Sequence, residues 1–347
     1  MSKSKFYKDA GVDLAAAGIA KSKIAELAKA TFTDSVVSEI GTFGGIYRFP
    51  AGSDTLLLAS SDGVGTKLMV ASAMGIYNSV GRDLVNHCVN DLLTLGADPM
   101  FFLDYIGHAD LTPDRIAELV DGLSIACCEN GLALIGGETA QMPGVYSSGD
   151  FDIVGFIVGT SQESNLVDGS AIAPGDKLIA IASNGLMTNG FSLARNVLLD
   201  SGRFSLEDSP KILVGETVGE ALLKIHPSFL DPVRKMRSSG IDVSGMAHIT
   251  GGGIGGNFIR VLPKNCKAIF RLTEIPVPPI FELIRTTGKV PMHEMFEVFN
   301  MGVGFVIAVR PGDLDRALES LRGSGASAFA CGEIVSGDHS VLIEGID

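Results

Sequence analysis

Four short segments carry a carboxylate, an amide or a histidine, three of them beside glycine. That combination lets a backbone approach a phosphate closely while side chains manage its charge. The first, Ser61-Asp62-Gly63-Val64-Gly65-Thr66-Lys67, offers backbone amides for a phosphate, a lysine for its charge and Asp62 for a metal. It is not a Walker A loop, because Thr66 precedes the lysine and the glycine spacing is wrong. A tight strand-to-helix turn capped by Asp62 is the plain alternative. The second is Asn90-Asp91, two residue types that disfavour helix interiors, set inside a good apolar helical pattern. A solvated polar helix face would explain that pair equally well. The third, Gly136-Gly137-Glu138-Thr139, puts a carboxylate after a short apolar run, where α/β proteins place ligands; a turn followed by a helix cap is the alternative. Asp62, Asp91 and Glu138 together would suit Mg²⁺, which takes carboxylates while keeping waters and phosphate oxygens. As a set they point to a magnesium–nucleotide site.

The fourth segment, His248-Ile249-Thr250-Gly251-Gly252-Gly253-Ile254-Gly255-Gly256, contains GxGxxG. A dinucleotide-binding reading fails here. Only Asn257–Leu262 remain for a helix before Pro263, whereas a βαβ crossover needs roughly a dozen residues. An anion-binding glycine loop survives. His248 on its own reads more readily as a structural histidine than as a catalyst.

These segments need elements to hold them. Leu56–Ser60 reads as a buried strand running into the 61–67 loop. Val80–Leu95 has helical spacing, with Val80, Leu84, Val85, Cys88, Val89, Leu92 and Leu93 on one face and Gly96 as its stop. Met100–Ile106, Leu132–Ile135 and Ile153–Thr160 read as strands. Thr112–Asn130 is a helix with Thr112 as N-cap, Pro113 in the first turn and Gly131 as C-cap. Residues 1 to about 20 read as a loose arm and Ile24–Phe32 as a short helix. The polar stretch Gln162–Asp176 places a boundary near residue 168, giving domains 1–168 and 169–347. The second half restarts with the strand Lys177–Ala182, the loop Ser183–Gly190 and the helix Phe191–Ser201. A helix near Glu216–Lys224, the strand Val303–Val309, the helix Asp313–Arg322 and two short strands follow. Interleaved strands and helices in both halves predict an α/β or α+β protein of two lobes.

Composition limits the partners. The 347 residues are 46% hydrophobic, enough for sizeable cores, and 27 Lys+Arg against 40 Asp+Glu give a net charge of −13. That balance argues against nucleic acid or an anionic membrane as partner. Five cysteines without a CxxC pair suggest free thiols in a reducing compartment. A polar beginning and apolar runs no longer than a strand lead us to expect a soluble, cytoplasmic protein.

Seven motifs occur together in one order: Ser61–Leu68 (SDGVGTKL), Gly81–Asp91 (GRDLVNHCVND), Phe101–Tyr105 (FFLDY), Gly136–Gly144 (GGETAQMPG), Thr188–Leu193 (TNGFSL), Ala247–Gly253 (AHITGGG) and Met292–Gly304 (MHEMFEVFNMGVG). In this the chain resembles the phosphoribosylformylglycinamidine cyclo-ligases, or aminoimidazole ribonucleotide synthetases, over nearly its whole length. The resemblance implies a homodimer whose N-terminal mixed sheets pair into a barrel-like structure, with an α/β C-terminal domain alongside. It implies ATP-dependent cyclisation of formylglycinamidine ribonucleotide to the aminoimidazole ribonucleotide, with ADP and phosphate released. It assigns Asp62, Asp91 and Glu138 to Mg-ATP and Lys67 to the phosphates, with Gly44, Gly63, Gly65, Thr66 and Asn90 along the nucleotide. Asn189, His248, Thr250, Gly251, Gly252 and Gly253 fall to the substrate. Three departures stand out. Met187 occupies a position where the family usually has His, His226-Pro227-Ser228-Phe229-Leu230 replaces a Pro-Thr-x-x-Tyr segment, and Thr42 stands where Gly is common. They keep open a superfamily member that binds ATP without this turnover, or that acts on another substrate.

Overall fold

A computed structural model of the chain describes residues 5–10, 14–39, 41–49 and 54–345. Two helices lead, α1 (Lys5–Asp9) and α2 (Leu14–Lys29). The expected arm is therefore helical where described, with 1–4 and 11–13 lying outside the described residues. The short helix expected at Ile24–Phe32 instead starts at Leu14 and ends at Lys29, because its alanines, leucines and lysines are strong helix formers.

The first sheet contains β1 (Gly45–Arg48), β2 (Thr55–Gly63), β3 (Asp98–His108), β4 (Ala133–Gln141) and β5 (Phe151–Gln162), in the order β1-β2-β5-β3-β4. Only the β3–β4 pair is parallel. Its crossover carries a helix, as a parallel connection requires. Helices α3 (Lys67–Met74), α4 (Asn78–Thr94) and α5 (Pro113–Asn130) accompany this sheet, α4 lying on β2, β3 and β5. Leu56, Leu58, Phe102, Ile106, Ile153 and Ile157 point inward and are buried, while Met100, Ile135 and Phe156 on the outer side are exposed. Two sequence expectations change here. Asp62 and Gly63 belong to β2, paired with Gly155 and Val154, and the GGET run belongs to β4, paired with β3. Ladder hydrogen bonds to neighbouring strands override the turn preference of these glycines.

The second sheet contains β6 (Lys177–Ala182), β7 (Val243–His248), β8 (Cys266–Phe270), β9 (Val303–Val309), β10 (Ala328–Ser336) and β11 (Ser340–Ile343), in the order β11-β8-β10-β6-β9-β7. Its helices are α6 (Phe191–Arg195), α7 (Val218–Leu222), α8 (Leu230–Ser238), α9 (Gly253–Phe258), α10 (Pro279–Gly288), α11 (Met292–Val298) and α12 (Leu314–Gly323). The helix expected to reach Ser201 stops at Arg195 and continues as a π turn, Asn196–Asp200. Every residue of β9 is buried, which marks it as a central strand packed on both faces. Both β6 and β7 pair antiparallel with β9, so they run parallel to each other. Their carboxyl ends share one edge, and the loops after them, 183–190 and 249–252, emerge side by side. Helix α4 packs on β7 and α8 as well as on the first sheet, so it stands where the two sheets meet.

Candidate active site

The polar residues of α4 recur at Asp83, Asn86, His87, Asn90 and Asp91, a spacing of three, four, seven and eight that puts them on one helical face. All five are buried, so the solvated face weighed for Asn90-Asp91 is replaced by a polar seam against the second lobe. Buried polar groups must find partners, and these find them on the segment 226–229 and on β7. Asp83 accepts from the His226 backbone N–H at 2.6 Å, and Asn86 donates to the His226 carbonyl at 2.8 Å. Asn90 donates to the Pro227 carbonyl at 2.9 Å and accepts from the Phe229 N–H at 2.9 Å.

Three imidazoles meet on this seam. His248, the last residue of β7, has Nδ1 2.8 Å from Asp91 Oδ1 and Nε2 3.0 Å from His226 Nε2. His87 has Nε2 3.1 Å from Asp62 Oδ2 and Nδ1 2.7 Å from Thr188 Oγ1, which also lies 3.2 Å from His226 Nδ1. The ring centroids are 5.0 to 5.4 Å apart. Asn90 Nδ2 lies 3.1 Å from His226 Nε2. Because the other face of that amide is fixed by Phe229, the Nε2 of His226 is held as an acceptor.

Charge is distributed unevenly over the cluster. Burial alone would lower the pKa of His87, but Asp62 and Asp91 outweigh it and push it up to about 9. Burial, with His248 and His87 as neighbours, drives His226 well below its ordinary value. Burial also lowers His248, against its hydrogen bond to Asp91. Partial burial would raise the Asp62 carboxyl; His87 and the Gly63 N–H hold it down at about 2 instead. Asp62 is also the open side of the cluster, its side chain 47% exposed.

Among the residues singled out from sequence, Asp62, Asn90, Asp91 and His248 converge here. The glycine-rich turn around Gly44 lies close by, since Ser60 Oγ donates to the Phe43 carbonyl at 3.0 Å and reaches Asp91 Oδ2 at 3.5 Å. Arg260 ties the same turn to the second lobe through the carbonyls of Gly41 and Thr42 and stacks 3.8 Å from the Phe43 ring centroid. Gly63 closes β2, Gly65 takes a positive φ of 70° and Thr66 contacts Ser192 across the lobes at 3.1 Å. Asn189 Nδ2 donates to Thr188 Oγ1 at 3.2 Å, and Asn257 Nδ2 donates to the carbonyls of Thr250, Gly251 and Gly253, holding the Thr250-Gly251-Gly252-Gly253 loop beside His248.

Two residues do not join them. Lys67 has no exposed surface, and its ammonium pairs with Asp83 at 2.7 Å and donates to the carbonyls of Met187 and Lys224. Three acceptors match the three protons of an ammonium, so Lys67 presents no free charge to a phosphate in this structure. Glu138 lies opposite Tyr105, which lies opposite Val154, whereas Asp62 lies opposite Gly155. One residue of offset reverses the face of a strand. Glu138 therefore points to the outer side of the sheet, three strand spacings or roughly 14 Å from Asp62. Sequence reasoning gave no site role to His87 and Thr188, which lie within the quoted motifs, or to His226, named only as part of a departure from the family. The signal that could have found His87 is the polar stripe on α4; His226 and Thr188 carry no comparable periodicity.

The two lobes and the site between them define an AIR-synthase-type protein. Family models described as the N-terminal and C-terminal domains of AIR synthase related protein match residues 41–161 and 173–344. The chain is 43% identical over 340 residues to the phosphoribosylformylglycinamidine cyclo-ligase of Carboxydothermus hydrogenoformans, covering 97% of this chain and 98% of that protein. It belongs to the phosphoribosylformylglycinamidine cyclo-ligase family. The fold alone is shared more widely. Thiamine-monophosphate kinase from Stenotrophomonas maltophilia superposes with a TM-score of 0.64 at 15% identity, covering 92% of this chain and 94% of that one. A hydrogenase maturation protein HypE in complex with ATP gives 0.62 at 17% identity over 91% and 85%.

Proposed function

We propose that this protein closes the ring of formylglycinamidine ribonucleotide to give 5-aminoimidazole ribonucleotide, consuming ATP and releasing ADP and phosphate in purine biosynthesis. One observation carries the reading. In a chain 43% identical to a named cyclo-ligase, Asp62, Asp91 and His248 meet beside the two loops that leave the same edge of the second sheet. Strand carboxyl ends of this kind are where α/β proteins bind ligands.

In the reaction, the formyl amide oxygen takes the γ-phosphoryl group and ADP departs. The amidine nitrogen then attacks that carbon, and phosphate leaves as the ring closes. Such chemistry asks for positioning and charge neutralisation more than for a protein nucleophile. Asp62 and Asp91 fit a divalent ion, both carboxylates facing His87 on the inner side of the sheet. When bound, Mg²⁺ would neutralise charge on the transferring phosphates. The turn at Gly44, with Gly63, Gly65, Thr66 and Asn90, lines the nucleotide in this reading. Asn189, His248, Thr250 and the Gly251–Gly253 loop take the ribonucleotide. The Lys67 and Glu138 assignments rest on the resemblance alone, given where their side chains lie.

Residues 1–168 would form the ATP-binding and dimerisation domain and 169–347 the second domain, in a cytoplasmic homodimer. Among the described residues no helix is long and apolar enough to cross a membrane. The free cysteines fit a reducing compartment. The test is ADP release from Mg-ATP with and without formylglycinamidine ribonucleotide, alongside an assay for the aminoimidazole product. ADP release in step with product is expected, and Asp91→Asn should lower turnover by about 100-fold or more. Saturable ATP binding without product would overturn the reading.

A further inference from the structure

Residues 296–302, the end of α11 and the turn into β9, brace both loops that leave the second sheet beside His248. Asn300 is buried there. Its Nδ2 donates to the carbonyls of Gly185 at 2.9 Å and Leu186 at 3.2 Å. Its Oδ1 accepts from Ser183 Oγ at 2.8 Å and from the Gly302 N–H at 2.9 Å. These four bonds use both protons and both lone pairs of the amide. The turn they close is strained, with Met301 at a φ of 47° and Gly302 at 93°. The Ser183 N–H donates to the Gly302 carbonyl at 2.8 Å, which ties the turn to the same loop. Next to it, the Phe299 ring lies so close to Gly190 that a Cβ there would overlap it. Asn300 thus grips the 183–190 loop at its start and Phe299 grips its end. The other loop leans on the same segment, since a Cβ on Gly253 would run into the Phe296 carbonyl.

The middle of the 183–190 loop carries the groups that reach the site. The Met187 carbonyl accepts from Lys67, Thr188 Oγ1 lies 2.7 Å from His87 Nδ1, and Asn189 follows. A fully satisfied buried amide on a strained turn holds a loop in one conformation. From this we infer that Asn300 is a positioning residue for the ribonucleotide. It acts through the loop, fixing where Thr188 and Asn189 stand. The inference deepens the proposed function and rests on it in taking this loop as the ribonucleotide's. The chemistry of the position is narrow. A carboxylate has no proton for the carbonyls of Gly185 and Leu186, and an aliphatic side chain leaves all four partners unpaired.

The experiment uses the full-length protein. Asn300→Asp keeps the shape of the side chain and removes both donors. It should raise the KM for formylglycinamidine ribonucleotide roughly 10- to 100-fold, while the KM for Mg-ATP stays near the wild-type value. Loss of folded protein alone would lower kcat and leave both KM values where they were. Ser183→Ala removes one bond to the same amide and buries no charge, so it should raise the same KM by less. It also serves if the Asp variant fails to fold. Amide hydrogen exchange needs no turnover. It should quicken over 183–190 in both variants and stay unchanged over α4. Unchanged exchange over 183–190, or KM values that move together or not at all, overturns the inference. A wild type that forms no product overturns the cyclo-ligase reading instead, and exchange over 183–190 still decides whether Asn300 holds the loop.

Discussion

Lys67 has no exposed surface and pairs with an equally buried Asp83. Burial lowers the pKa of Lys67 and raises that of Asp83, and their attraction opposes both shifts. The pair also clasps both lobes, since Lys67 donates to Met187 and Lys224 while Asp83 accepts from His226. Removing one partner of a buried pair leaves an uncompensated charge, which costs about 3–5 kcal/mol, whereas apolar replacement of both is often near neutral. Lys67→Met should therefore lower unfolding stability in urea by that amount, and adding Asp83→Leu should restore most of it. A Lys67→Met protein of unchanged stability but weakened ATP affinity would return this lysine to the phosphates. The residue scale is also where sequence reading was most divided. Asp62 and Asp91 could be picked out because a carboxylate among glycines, or in an apolar helix, breaks a local rule. His226 could not, because its meaning comes only from His248 and Asn90, which tertiary packing brings to it.

Helix α4 is the element on which both lobes are registered, and its position is fixed by a close crossing with α5. A Cβ on Gly81 would stand 2.3 Å from the Leu119 carbonyl oxygen, and one on Gly122 would stand 2.0 Å from that of Asn78. Both neighbours are backbone, so neither can yield without moving a helix. Gly81→Ala should destabilise the protein by about 1–3 kcal/mol, as overpacking does. It should also reduce turnover at saturating ATP, because any shift of α4 moves Asp91 relative to His248. A variant with wild-type melting temperature and turnover would show that the crossing is not constrained. Much at this scale was legible. The apolar period found α4, and the Thr112 cap and left-handed Gly131 found both ends of α5. Two of the glycine motifs misled, because the backbones of Asp62-Gly63 and of the GGET run are strand ladders, a fact that lives on β5 and β3 and not in the local sequence. No helix or strand was expected over α8 and β7, since Leu230–Ser238 mixes charged and apolar residues over barely two turns.

For the molecule as a whole, the interleaved pattern predicted two α/β lobes, and two sheets are present, but the pattern does not say what covers the outer side of the first one. That side carries partly buried Leu57, Leu103, Val154 and Val158 around the exposed Phe156 and Ile135. A contiguous apolar sheet face of this kind marks an interaction surface. The net charge of −13 works against self-association, so a pairing of copies needs an apolar surface such as this one. The proposed homodimer would bury it sheet against sheet. Leu56, Leu58 and Phe102 point away from it into the lobe's own core. Replacing both Phe156 and Ile135 with Lys puts charge on the outer face while leaving those core residues untouched. In analytical ultracentrifugation the wild type should sediment as a dimer at micromolar concentration and the double variant as a monomer of unchanged helix content. A double variant that stays dimeric would move the interface elsewhere on the molecule.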